Sequence, residues 1–236
     1  MKAMILAAGR GERMRPLTDH IPKPLLEVGG KSLIAWHIER LRGAGIRELV
    51  INHAWLGAKI EAALGDGRGL GVEIEYSPEP HALETAGGIA QALALLGQAP
   101  FLVVNGDVHC AYDFSRAAGI AAGIEERRLD AWLILVANPP HHPLGDFRLQ
   151  SGLVNASAAP LHTFSGIGVY HPTLFAAIAP GSKAKLAPLL RTAMAQGRVG
   201  GEFFDGRWTD VGTPQRLADL DDQLRQAART GLQSFP

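Results

Sequence analysis

Apolar residues along this chain fall in short runs, and what lies between the runs changes from its first half to its second. In the first half, runs rich in Val, Ile and Leu alternate with stretches whose apolar positions recur every three or four residues. The former pattern reads as buried strands and the latter as amphipathic helices. Strands are predicted over 2–7, 48–51, 72–76 and 101–104, with helices over 33–42, 56–64 and 89–96 between them. Alternation of buried-type strands with helices implies right-handed crossovers and an α/β fold with a mainly parallel sheet.

The second half mixes its signals. Residues 131–137 and 164–170 read as further strands, and 147–154 as a short hairpin turning at Ser151-Gly152. Helices are predicted over 185–195 and 214–229; in the last, Leu217, Leu220 and Leu224 share a face and Pro214 suits the first turn.

At 236 residues and 47% hydrophobic, the chain can bury a full core in one domain spanning 1–236. No low-complexity tract, polar linker or solenoid-length repeat divides it. Lys plus Arg equals Asp plus Glu at 23 each, so the global positive field of a nucleic-acid binder is absent and no nucleic-acid partner is expected. Cys110 is the only cysteine, which excludes an internal disulfide and a cysteine-rich metal site and fits a cytoplasmic setting. No apolar run approaches bilayer length and no signal-peptide pattern follows Met1, so a soluble chain with no membrane partner is expected. Whether copies associate as a homo-oligomer is left open, since the C-terminal helices can pack internally or on a partner.

The densest chemistry follows the first strand. The apolar run 4–7 gives way to Gly9 and Gly11, and Arg10, Arg13, Arg15 and Lys23 follow. Glycines let backbone N–H groups approach an anion, while Arg offers a planar fork and Lys a point charge to phosphate oxygens. A surface turn with solvated charges is the plain alternative. Gly9 and Gly11 begin a dinucleotide-binding G-x-G-x-x-G, but Met14 stands in place of the third glycine. No Gly-Lys-Ser/Thr follows at P-loop spacing either. The loop therefore reads as a phosphate cradle of another kind. Asp107 and Asp210 occupy strand-end turns where a carboxylate either bonds its own backbone or holds a divalent ion. Asp113 reads as a helix cap, and His141-His142, among prolines, as loop residues with too few neighbours for zinc.

Residues 6–25, LAAGRGERMRPLTDHIPKPL, resemble the signature of the sugar 1-phosphate nucleotidylyltransferases. The matching positions are Leu6, Ala7, Ala8, Gly9, Gly11, Arg13, Pro16, Leu17, Thr18 and the Pro22-Lys23-Pro24-Leu25 run. Within that family, INHAWLG at 51–57, LETAGGI at 83–89, VNGDV at 104–108, FSGIGVYHP at 164–172 and KLAPLL at 185–190 are most similar to the uridylyltransferases of bacterial cell-wall recycling that act on N-acetylmuramic acid 1-phosphate. The resemblance implies a Rossmann-like mixed sheet of the nucleotide-diphospho-sugar transferase type. Its nucleotide-binding part would cover about 1–110 and its sugar-binding part about 111–236, with the hairpin as a small lid over the sugar.

It also implies roles. A sugar 1-phosphate would attack the α-phosphorus of a nucleoside triphosphate, UTP, with Mg²⁺ as cofactor and pyrophosphate as leaving group. Arg13 would grip the β- and γ-phosphates, Lys23 would bridge the sugar phosphate and the α-phosphate, and Asp107 and Asp210 would bind the metal. Leu6, Ala8, Gly9, Gly11, Glu79, His81, Thr85, Gly87 and Gly106 would hold the nucleotide, and Asn105, Gly145, Asp146, Ser165, Gly166 and Lys185 the sugar.

Three departures bear on substrate. His81 stands where relatives often have Glu or Gln, and Thr85-Ala86-Gly87 resembles the guanylyltransferases, so guanylyl transfer to mannose or heptose 1-phosphate is the alternative within the class. The Glu-Lys-Pro tripeptide of many relatives is missing, leaving Lys185 or Arg148 to replace its lysine. A non-catalytic nucleotide-sugar binding module is the alternative outside the class, though Arg13, Lys23, Asp107 and Asp210 are all present.

Overall fold

The computed structural model describes residues 1–157 and 159–230. In chain order its elements are β1 (Lys2–Leu6), β2 (Glu27–Val28), β3 (Lys31–Ser32), α1 (Leu33–Gly43), β4 (Glu48–His53), α2 (Gly57–Leu64), β5 (Glu73–Pro78) and α3 (Glu84–Leu96). Then come β6 (Phe101–Asn105), β7 (Val108–Cys110), α4 (Ala117–Arg127), β8 (Ala131–Val136), β9 (Arg148–Gln150) and β10 (Leu153–Asn155). The chain continues through β11 (Thr163–Tyr170), α5 (Leu186–Ala195), β12 (Val199–Phe203), β13 (Trp208–Asp210) and α6 (Pro214–Arg229).

Nine strands form one mixed sheet in the order β5-β4-β1-β6-β11-β8-β12-β10-β9. Strands β5, β4, β1 and β6 are parallel, β11 runs antiparallel between β6 and β8, and β12 is parallel to β8. Alternate residues enter two cores: Ala3 and Ile5 of β1, Leu49 and Ile51 of β4, and Leu102 and Val104 of β6 share one, while Met4, Val50 and Val103 share the other. Both faces are covered, which is why these strands read as unbroken apolar runs. Each fully buried Leu, Ile or Val contributes roughly 1.5–3 kcal/mol, so the scaffold does not depend on the polar residues at its end.

The chain leaves β1 for β4 on one side and later returns to β6 on the other. In open α/β sheets a ligand crevice forms where the order reverses, beyond the carboxyl ends of the strands. The loops after β1 and β6 flank that point.

Several expectations shift. The predicted hairpin forms as β9 and β10, but β10 pairs with β12, so it is the outer edge of the main sheet rather than a separate lid. Glycines permit this: a Cβ at Gly201 would lie 2.5 Å from the Val154 side chain. Helix α3 begins at Glu84, ahead of the predicted start at 89, because Gly87 and Gly88 lie inside it. Strand β12 was not anticipated, and helix α4 was foreseen only as an entry at Asp113 without an extent; the glycines of both weakened the pattern. Asp113 caps as expected, its carboxylate accepting the Ser115 N–H at 3.0 Å.

Candidate active site

A cleft of about 500 Å³ opens at the reversal point. Leu6, Ala8, Gly9, Gly11, Arg13 and Lys23 line it from the loop after β1, Asn105, Gly106 and Asp107 from the end of β6, and Glu79 and Thr85 from the far wall. The two strand ends meet closely because the Gly106 N–H donates to the Leu6 carbonyl at 2.9 Å. A Cβ on Gly106 would lie 2.6 Å from that oxygen.

Local bonds decide which cations of the first loop reach the cleft. Gly11 adopts a left-handed φ of 69°, and the Thr18 hydroxyl donates to its carbonyl at 2.8 Å. Arg10 turns away: its guanidinium lies 3.8 Å over the Trp55 ring and donates to the Thr18 carbonyl at 2.9 Å and to Asp19 at 3.3 Å. Arg15 also pairs with Asp19, at 2.7 Å. Arg13 and Lys23 are left on the cleft wall. Lys23 is 8% exposed, and its Nζ donates to Asp107 Oδ2 at 2.5 Å. That burial rules out the solvated surface lysine, since an ammonium withdrawn from water needs a counter-charge and Asp107 provides it.

Asp107 leads into a two-stranded ribbon that the sequence reading treated only as turns. Strands β7 and β13 pair antiparallel with Asp210 opposite Val108, and the Val211 N–H donates to the Asp107 carbonyl at 2.7 Å. Two aspartates from distant parts of the chain thus stand on neighbouring strands. Each already faces a cation. Asp210 accepts from Arg216 Nη1 at 2.9 and 2.8 Å and lies 3.0 Å from His141 Nε2, so His141 is more than a loop residue. The Asp210 side chain is not on the cleft wall, which Gly212 of the same turn reaches. Among the described residues no group of three or more His, Cys, Asp or Glu could hold a metal by itself. Asp107 on the cleft wall and Asp210 on the neighbouring strand are nonetheless hard oxygen donors of the kind Mg²⁺ takes, since that ion uses one or two carboxylates and completes its shell with water and substrate oxygens.

A buried amide fixes the far wall. Asn52, 3% exposed at the end of β4, accepts the Ala7 N–H at 2.8 Å and donates to Glu79 Oε1 at 2.7 Å. Glu79 Oε2 accepts the Leu83 N–H at 2.8 Å. Sequence reasoning missed Asn52; a polar residue closing the apolar run 48–51 was the available signal. Glu84 also lines the cleft, with a left-handed φ of 63°. Such backbone in a non-glycine residue is sparsely populated and gathers at functional sites.

Other predicted residues lie outside the wall. His81 is exposed and does not line the cleft. A Cβ on Gly87 would lie 2.3 Å from the Ser182 carbonyl, so its smallness admits the segment 182–184 rather than a flat base. That segment docks on the first turn of α3, with the Ala86 and Gly87 N–H groups donating to the Ala184 carbonyl at 3.0 and 3.1 Å. Docking sets Lys183 on the cleft wall, while Lys185 stands at the start of α5 outside it. No sequence signal separated these two lysines.

The remaining sugar-side residues act from behind. Ser165 is fully buried, its Oγ accepting the Ile167 N–H at 3.1 Å in an irregular stretch of β11. Gly166, with φ 80°, lets the Asn105 side chain rest against its backbone. Asp146 accepts the Phe164 N–H at 2.8 Å and lies 3.1 Å from His142 Nε2, and Gly145 packs against Asn138. Asp146 and Gly145 brace the loop after β8 without reaching the cleft wall.

A glycine-rich cationic loop and a facing aspartate, set at the reversal point of an α/β sheet, define a nucleotide-binding protein that handles phosphates. The chain belongs to the nucleotidyl transferase family, whose profile matches residues 2–227. It is 59% identical over 226 residues to the N-acetylmuramate alpha-1-phosphate uridylyltransferase of Neisseria meningitidis serogroup B, covering 93% of this chain and 96% of that one. It is 37% identical to the same-named protein of Caulobacter vibrioides, over 95% of this chain and 97% of that one. Its fold is similar to that of apo-UDP-glucose pyrophosphorylase, with a TM-score of 0.77 at 18% identity over 96% of this chain and 98% of that one.

Proposed function

We propose that the chain transfers the uridylyl group of UTP to N-acetylmuramic acid 1-phosphate, releasing pyrophosphate. The observation that carries this reading is the 59% identity, nearly end to end, to an N-acetylmuramate alpha-1-phosphate uridylyltransferase. The guanylyltransferase alternative has weaker support: a mannose-1-phosphate guanylyltransferase of Mycobacterium tuberculosis is 39% identical over only 114 residues.

In this reading a phosphate oxygen of the sugar 1-phosphate attacks the α-phosphorus, a new P–O bond forms, and the bond to the β-phosphate oxygen breaks. A phosphate monoester is already largely ionised at neutral pH, so no side chain has to remove a proton. The protein's work is alignment and charge compensation. Arg13 on the cleft wall is suited to the β- and γ-phosphates, and buried Lys23 to the oxygens shared between nucleophile and α-phosphate. Asn52 and Glu79 hold the wall beside the nucleobase. Lys183, rather than Lys185, supplies the cation that the missing tripeptide lysine would give to the sugar phosphate. Asp107 and Asp210 would hold Mg²⁺, which would supply further neutralisation of phosphate charge when bound. Residues 1–236 act as one catalytic unit in this reading, in the cytoplasm; among the described residues no helix is long and apolar enough to cross a membrane.

Pyrophosphate release from a panel of triphosphates and sugar 1-phosphates tests the proposal. Turnover is expected with UTP and N-acetylmuramic acid 1-phosphate. Turnover that requires GTP, or another sugar phosphate, overturns it.

A further inference from the structure

Arg216 is a residue that neither the sequence reading nor the proposed chemistry uses, yet it holds one of the two candidate metal ligands. It lies in the first turn of α6, and its Nη1 reaches both oxygens of Asp210. His141 Nε2 lies 2.5 Å from the same Nη1. The other terminal nitrogen points elsewhere. A Cβ built on Gly212 would sit 2.2 Å from Arg216 Nη2 and 3.3 Å from Arg13 Nη2, so the two guanidinium groups converge on one glycine, and that glycine lines the cleft.

Charge bookkeeping at this point is incomplete. Asp210 compensates Arg216, but among the described residues no carboxylate pairs with Arg13, and Arg216 Nε is buried without a hydrogen-bond partner. Two converging forks, of which only Arg216 has a carboxylate partner, leave room for further negative charge, and paired guanidinium groups suit the oxygens of a polyphosphate. The same Arg216 also occupies the oxygens that a divalent cation would need on Asp210. Both tasks cannot be served by one fixed position.

Building on the uridylyl-transfer reading, we propose that Arg216 is an exchangeable counter-ion: it neutralises Asp210 in the empty site, yields that carboxylate to a divalent cation, and joins Arg13 on the departing pyrophosphate. Arg216 is then a ligand of the leaving group, and its bond to Asp210 is a competitor of the metal rather than a support for it.

Competitor and support predict opposite signs. Mn²⁺ binding to the substrate-free protein, followed by the paramagnetic resonance signal of the free ion, is expected to be about threefold tighter or more in Arg216→Ala, since removal of a partly exposed ion pair frees Asp210. In the reverse direction, the KM for pyrophosphate is expected to rise about tenfold or more while the KM for the nucleotide sugar stays within about twofold. Arg216→Lys should recover part of the pyrophosphate KM, as a charge without the fork. Unchanged or weaker Mn²⁺ binding in Arg216→Ala overturns the proposal, and so does an unchanged pyrophosphate KM; either result makes Arg216 a brace for Asp210. Arg216→Gln, which keeps the bulk of the side chain, provides the same two readouts if the alanine variant melts early. Should the wild-type protein use a different nucleotide sugar, the substrate reading fails while both measurements proceed with that sugar.

Discussion

Two rims of the cleft reach their places by different routes. The loop after β1 is settled within a short stretch of chain: Thr18 closes it on Gly11, Asp19 takes Arg10 and Arg15 out of play, and Arg13 and Lys23 remain. The other rim is assembled from remote pieces. Lys183 arrives because the segment 182–184 docks on α3, and Gly212, in the same turn as Asp210, because β13 pairs with β7 beside Asp107. Local closure writes a motif into sequence, whereas docking writes only a glycine or a lone polar residue at each contact.

Substitutions at the first rim should break function outright. Lys23→Ala or Arg13→Ala is expected to lower kcat/KM by about 10²–10³-fold, the loss seen when a well-placed donor to developing charge is removed. Thermal melting should move little for Arg13→Ala, because Arg13 is exposed. Near-normal turnover in either variant would detach that residue from the phosphates. Asp107→Ala and Asp210→Ala are each expected to abolish metal-dependent turnover while circular dichroism stays native; full activity would remove that aspartate from the metal site.

Disturbing the docking at the second rim should give a smaller, more selective defect. Gly87→Ala drives a methyl into the Ser182 carbonyl and should push the segment 182–184 off α3. The expected result is a rise of about tenfold in the KM for the sugar phosphate with the UTP KM nearly unchanged, measured by steady-state kinetics. Equal rises in both would show that Lys183 does not discriminate between the substrates.

Acid should weaken the ribbon that joins the rims. His37, buried under β7, and His109 within it are both held down to about 4 from 6.5, chiefly by burial, and in the case of His109 also by the charge of His37. The folded state therefore binds fewer protons than the unfolded state below the ordinary histidine range. Stability is full above 6.5, falls as the pH drops through the window down to about 4, and is lowest beneath it. Urea unfolding at the two ends of that window is expected to differ by on the order of 3 kcal/mol from His37. A His37→Gln variant should show a shallower slope, and an unchanged slope would assign the acid sensitivity elsewhere.

The smallest effect is expected at Arg10. Removing its contact with Trp55 should cost about 1 kcal/mol of stability and change turnover by less than about twofold. A loss as large as that of Arg13→Ala would erase the distinction drawn within the loop.

The parallel half of the sheet was legible because strands buried on both faces leave plain apolar runs, as in β1, β4 and β6. The first loop was legible because its glycines, prolines and cations lie in one continuous motif. Asp107 was readable on similar grounds, as the first polar charge after an apolar strand. The ribbon β7–β13 was not, since three-residue strands carry too little periodicity to register. Lys183 and Arg216 were missed for a related reason: a lysine in a Gly-Ser turn and an arginine in a helix's first turn look solvated until the packing around them is known. Gly87 and Gly166 carry a task that the sequence did not signal, the close approach of protein to protein.

Asn52 ties the Ala7 amide to Glu79 through the two ends of one side chain. The strand end that starts the glycine-rich loop and the far wall of the cleft are thereby held at a set spacing, like two jaws on one bolt. Replacing Glu79 alone would remove the acceptor of Asn52 and, with it, loosen the spacing between the far wall and the first loop. In the uridylyl-transfer reading, a redesign of the base preference would therefore exchange positions 52 and 79 together.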